Sequence, residues 1–320
     1  MSRISRYQES ILKFIKTKSN YSDFIKSDKD IESLIEVNDH ETSIILLTIL
    51  NGLYKKKKLR AHHGYYMASG IDIVMNYVMI NDNITFFNSK YNEKIIKKIS
   101  RQMPIYIFDC LSQNIEASEN VIDDDKVMKL QRSVTSYLHK RMIEITDFYE
   151  FNGEHKVHRT DIIKFKFKNK KIIDDTYRKL SVIDEDILMK YINNTYGSVC
   201  KCSFVLGWLI GFGEEKMIPE LEKLGIHLGL MLKLSHDFKN IERDMENTKN
   251  NISTNTIINY GIHHCFSLFN ESKTKLLEGC LSLDIYNITI KEIIDLIERK
   301  FDTQLQNTDL ELQSRYSSFS

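Results

Sequence analysis

The chain has 320 residues, 42% of them hydrophobic, which is enough to bury a large core and too many for a disordered chain. Its 45 basic and 44 acidic side chains nearly cancel, so no overall field draws it to nucleic acid or to an acidic membrane face. Two prolines and 12 glycines are too few for the turns of a β-sandwich or barrel and point to long helices.

Residues 1–50 read as two amphipathic helices, one carrying Ile11, Phe14 and Ile15, the other Ile45, Leu46 and Ile49 behind the capping candidate Asp39. The opening MSRISRYQESILKF lacks the apolar core of a signal peptide. A basic run from Lys55 to Arg60 follows Asn51-Gly52. An apolar stretch then extends from Tyr65 to Ile80 and ends at the polar break Asn81-Asp82-Asn83. The pattern predicts a helix over 92–118 with Pro104 inside it, and a kink near 100–104 where proline removes a donor. Asp123-Asp124-Asp125 marks a helix start, with negative charge at the positive end of the dipole, and residues 127–149 fit that helix. In the segment 151–171, Phe165 and Phe167 alternate with Lys164, Lys166 and Lys168, a period of two that predicts a basic strand, hairpin or ordered loop. Helical periodicity returns over 184–211 and 218–247, and again near 255–280 and 288–306; the tail over 307–320 is expected to fray.

With no repeat and no linker, the sequence predicts a single domain over 1–320. No run of about 20 apolar residues is available for a transmembrane segment. The five cysteines, without C-x-x-C spacing, fit a reducing compartment such as the cytoplasm and argue against a disulfide framework. The pairs His62-His63 and His263-His264 have no partners at zinc spacing, and ordinary polar packing explains them better.

The most informative segment runs from Leu221 to Asp244. Gly225 and Gly229, one turn apart, let another helix approach, and Leu228, Leu232 and Ser235 continue an inward face. His236, Asp237, Asn240 and Asp244 then follow. Positions 236, 240 and 244 stack one turn apart, so a polar cluster able to hold a hard cation follows directly on an apolar helix.

Here the sequence resembles the trans-isoprenyl diphosphate synthases (polyprenyl synthetases), with the class I terpene cyclases behind them. Members carry a Gly-x-x-x-Gly helix running into a second Asp-Asp-x-x-Asp motif, and this chain reads His236-Asp237-Phe238-Lys239-Asn240 there. Tyr191 to Gly197 sits where the family has a Tyr-led helix with a Lys-Thr-Gly turn. Lys57-Lys58-Leu59-Arg60 resembles the family's Gly-Lys-Arg-Leu-Arg-Pro segment, and Ile105 to Gln113 lies where a first aspartate motif would fall.

The resemblance implies an all-α helical bundle around a deep central cavity, a homodimer or a heterodimer with a related subunit, and isoprenyl diphosphates as substrates. It implies Mg²⁺ held between two facing helices, which neutralises a leaving diphosphate. Carried over residue by residue, Asp109 and Asp237 become the catalytic carboxylates, and Asp109, Gln113, His236, Asp237, Asn240 and Asp244 the metal ligands. Lys57 and Arg60 would bind isopentenyl diphosphate, while Ile105 and Phe108 would line the cavity. Cys110 and Gln113 replace two carboxylates of the first motif, and His236 and Asn240 two of the second. The implied activity is condensation of isopentenyl diphosphate with an allylic diphosphate. Loss of four motif aspartates offers two alternatives: a catalytically inactive structural or regulatory subunit, or a terpene cyclase, whose single-metal motif His236, Asn240 and Asp244 also resemble.

Overall fold

A computed structural model describes residues 3–18, 39–57, 64–83, 87, 90–119, 124–154, 185–247 and 254–307. Among these, all regular structure is helical: α1 (Arg3–Thr17), α2 (Glu41–Lys56), α3 (Gly64–Asp82), α4 (Glu93–Glu119), α5 (Asp124–Glu154), α6 (Glu185–Asn194), α7 (Tyr196–Ile210), a 3₁₀ turn (Glu215–Met217), α8 (Ile218–Asn247), α9 (Thr256–Tyr260), α10 (Ile262–Ser282) and α11 (Ile288–Asn307). The predicted helices over 92–118, 218–247 and 288–306 are present within a residue at each end, and α4 continues through Pro104. Of the basic segment 151–171, residues 151–154 form the end of α5 and the rest lies outside the described residues, as does the tail beyond Asn307.

Helix α8 is the axis of the molecule. Leu221, Leu224, Leu228, Met231, Leu234, Phe238 and Ile241 are buried along it at helical spacing. It packs on α7, α10, α11 and α9. A Cβ at Gly229 would stand 2.6 Å from the Gly197 backbone and 2.9 Å from that of Tyr196. Glycine is therefore required where the start of α7 crosses α8, and this close crossing brings Tyr196 against His236.

The predicted helical stretch 184–211 is two helices. The break falls at Thr195, whose φ of −104° and ψ of −93° leave the helical region, and its hydroxyl bonds back to the carbonyl of Tyr191. Helix α3 ends at Asp82 because two asparagine side chains satisfy its last carbonyls: Asn81 donates to Tyr77 and Asn83 to Met79. The break and this helix end together place two tyrosines and one carboxylate at the same level as Asp237.

Candidate functional site

Three charged side chains from two helices meet in the interior. The Lys233 Nζ donates to Asp82 Oδ2 at 2.8 Å and to Asp237 Oδ1 at 2.6 Å. All three side chains are at most 3% exposed. Lys233 and Asp237 share one face of α8 at i, i+4, and Asp82 reaches them from the end of α3. The rings of Tyr191 and Tyr196 flank the ammonium, with centroids 5.9 and 5.7 Å away.

Every carboxylate oxygen has donors. Asp82 Oδ1 accepts from the hydroxyls of Tyr191 and Thr254, and Oδ2 accepts from Tyr196 as well as from Lys233. Asp237 Oδ2 accepts from the backbone N–H of Thr256 at 2.8 Å and from its hydroxyl at 2.7 Å. Asn255 caps α9 with its side-chain oxygen while its amide donates to the Asp237 carbonyl and to Asp244 Oδ2.

His236 forms the outer part of the cluster. Its Nε2 faces the Asn240 amide at 3.0 Å, which can only donate, so Nε2 accepts and Nδ1 carries the proton. Nδ1–H then donates to the Tyr196 hydroxyl 3.2 Å away, which in turn donates to Asp82. This chain fixes His236 as a neutral tautomer with no lone pair aimed at Asp82. Burial holds its pKa down to about 3, with Lys233, Arg243 and Lys239 adding to the effect against Asp82.

The two carboxylates are unequal. Burial raises Asp237, the Asp82 charge adds to the rise, and Lys233 and the Thr256 N–H offset only part of it, leaving the carboxyl at about 7. Burial acts on Asp82 in the same direction, but Lys233, His236 and the Tyr191 hydroxyl outweigh it and hold the carboxyl below its ordinary value. Lys233 loses stability as a cation by burial, and the two carboxylates more than restore it, so it stays protonated. The two carboxyls share one cation, and Asp237 is the one of the pair that takes up a proton more readily.

Further out, Arg243 donates to Asn83 and to Asp244 Oδ1, tying α8 to the end of α3. The structure thus brings together His236, Asp237, Asn240 and Asp244. It adds Asp82 and Lys233, which sequence reasoning had not singled out. A signal for each was present: Asp82 follows an apolar run as Asp237 does, and Lys233 is a lone cation in an apolar run four residues before an aspartate.

The remaining sequence-predicted residues lie elsewhere. Asp109 and Ile105 lie on the exposed stripe of α4, Ile105 being 63% exposed, whereas Met103, Ile107, Cys110, Leu111 and Asn114 face inward. Helical phase is the reason: α4 turns Cys110 and Ile107 onto Gly70 of α3, which leaves 105 and 109 pointing outward. The expectation that Asp109 faces Asp237 is therefore corrected; the carboxylate that does so is Asp82. Ile105 does not line an interior cavity, and Phe108 is half-buried beside His139 of α5. Gln113, one turn beyond Asp109, is half-buried and does not join the Asp82–Asp237 group. The Lys57 ammonium donates to the carbonyls of Gly211 and Phe212 at the end of α7. Arg60 lies outside the described residues.

The Mg²⁺ that the resemblance implies was tested against this donor set. Asp82, His236 and Asp237 offer ligand atoms within 4.8 Å of one another. They do not fit the ion: a protonated lysine stands between the carboxylates, their oxygens are engaged, and the histidine presents a proton.

No protein-family model matches the sequence, and no curated protein matches it as a relative. Solved structures do. A geranylgeranyl pyrophosphate synthetase from the archaeon Geoglobus acetivorans superposes with a TM-score of 0.60 at 10% identity, covering 93% of this chain and 97% of that one. An FPP/GFPP synthase from Zymomonas mobilis gives 0.57 at 9% identity, with 93% and 98% covered. An isoprenoid synthase family member from Thermotoga neapolitana gives 0.51 at 12% identity, with 92% and 96% covered. The likeness spans nearly the whole of each chain, and the chain has the all-α isoprenyl synthase fold.

Proposed function

We propose that this chain is a catalytically silent protein of isoprenyl-synthase fold, acting as a structural or regulatory subunit rather than as a prenyltransferase. One observation carries the reading: the ammonium of Lys233 bridges Asp82 and Asp237, and so fills the space between the two carboxylates that do face each other from two helices. Ionising an allylic diphosphate needs concentrated positive charge at a site the diphosphate can reach. Here the positive charge is a single ammonium, 1% exposed and fully engaged by its two carboxylates. A site neutralised from within cannot gather the metal ions on which that chemistry depends, because affinity for hard cations follows the count of free oxygen ligands.

A partner follows from the same reading. Ile105, Met128 and Ile143 are exposed on the adjoining helices α4 and α5, at 63, 50 and 45%. Such side chains fit a subunit interface with a second copy or a related synthase subunit.

A second reading, a working prenyltransferase that joins isopentenyl diphosphate to an allylic diphosphate, is favoured by one feature: Asp82 and Asp237 do face each other from two helices. It requires Lys233 to leave and the carboxylates to gain a metal. Incubating the purified protein with Mg²⁺, labelled isopentenyl diphosphate and each allylic diphosphate, then extracting into organic solvent, separates the two. The silent reading expects no labelled product; a chain-elongated diphosphate would overturn it, and a volatile hydrocarbon or alcohol would establish the cyclase alternative.

A further inference from the structure

Asp82 is the last residue of α3 and Lys233 and Asp237 stand mid-way along α8, and all three side chains are at most 3% exposed. We propose that residues 254–256 are a seal: a three-residue strap that closes the carboxylate pair from solvent and holds the Lys233 ammonium in place. The inference rests on the reading that Lys233 fills the cation position of this site.

Each residue of the strap has a separate grip. The Thr254 hydroxyl donates to Asp82 Oδ1 at 3.1 Å, on the α3 side. The Thr256 N–H and hydroxyl both donate to Asp237 Oδ2, on the α8 side. Between them Asn255 is 2% exposed and clamps the Asp237 carbonyl and Asp244 Oδ2. The strap thus reaches both carboxylates, taking Oδ2 of Asp237 and sharing the oxygens of Asp82 with Tyr191, Tyr196 and Lys233.

It is also fixed at its far side. Asn255 caps α9, whose Ile257 and Ile258 are buried at 0 and 4% exposure, and Gly261 at φ 82° turns the chain directly into α10. An apolar anchor of this kind makes the strap a standing closure. Any cation or diphosphate that is to meet Asp82 or Asp237 must displace four donated hydrogen bonds from the strap in addition to Lys233.

Lysine acylation reads the seal directly and needs no activity. The protein is treated with a water-soluble acylating reagent and labelling is followed by peptide mass spectrometry. Lys223 and Lys239, exposed on the same helix, are internal controls. In the parent, Lys233 stays unlabelled while both controls react. In Thr254→Val/Thr256→Val, which removes both threonine hydroxyl donors and keeps the Thr256 N–H and Asn255 bonds, Lys233 labelling rises about tenfold with the controls unchanged. Should that variant fail to fold, Thr254→Val alone carries the same comparison. Labelling of Lys233 in the parent at the rate of Lys239, or unchanged protection in a folded strap variant, would overturn the seal. Product formation in the extraction assay with Lys233 still protected would instead sink the silent reading and leave the closure standing.

Discussion

At the scale of single residues, Lys233 decides the chemistry of the interior. Replacing it by Met leaves two buried carboxylates facing each other with no counter-charge, a change that costs about 3–5 kcal/mol for a broken buried pair. A proton can partly replace the ammonium, so the loss should be smaller at pH 5 than at pH 8; equal losses by urea denaturation at the two pH values would contradict this account. The pH dependence of the parent combines two opposed groups. Asp237, raised to about 7, binds a proton more readily folded than unfolded, so its contribution weakens as pH rises from about 4 to 7. His236, lowered to about 3, binds one less readily folded, so its contribution grows between about 3 and 6.5. His236→Gln removes the second effect alone. Its stability relative to the parent should fall as pH rises from about 4.5 to 6.5, and a relative rise would show that the fold does not hold His236 neutral. Asp109→Ala, on the exposed face of α4, should change stability by no more than about 0.5 kcal/mol.

At the scale of elements, the site depends on how closely α7 and α8 cross. Gly229→Ala places a methyl 2.6 Å from the Gly197 backbone, where no flexible side chain can yield. The expected loss is about 1–3 kcal/mol by overpacking, with Tyr196 moved away from His236. Gly52, inside α2, has nothing within 4 Å of its would-be Cβ, so Gly52→Ala should stabilise by about 0.5–1 kcal/mol through helix propensity. Thermal melts of the two variants should move in opposite directions; a Gly229→Ala protein that melts at or above the parent would mean that α7 and α8 are not in close contact.

At the scale of the whole molecule, the apolar side chains on α4 and α5 point to association. Sedimentation velocity at micromolar concentration should show a dimer for the parent and a shift toward monomer for Ile105→Glu/Ile143→Glu, since a stable interface buries about 1,200–2,000 Å² and tolerates buried charge poorly. A monomeric parent would remove the basis for a homodimer. Among the described residues, no helix is long and apolar enough to cross a membrane, in agreement with the hydropathy of the sequence.

The sequence by itself determined the helical class and the boundaries of α4, α8 and α11, because apolar spacing along these helices is a local property that folding did not override. It also located the Asp237 end of the site, where an apolar helix runs into a polar cluster. Only the tertiary structure decided which carboxylate stands opposite. Asp82 and Asp109 are both acidic residues within or beside apolar runs, and the phase of α4 against Gly70, set by packing between helices, sends one outward. The role of Lys233 was hidden for the same reason: its i+4 neighbour Asp237 is local, but the second carboxylate, Asp82, is delivered by α3 from 151 residues away in the chain.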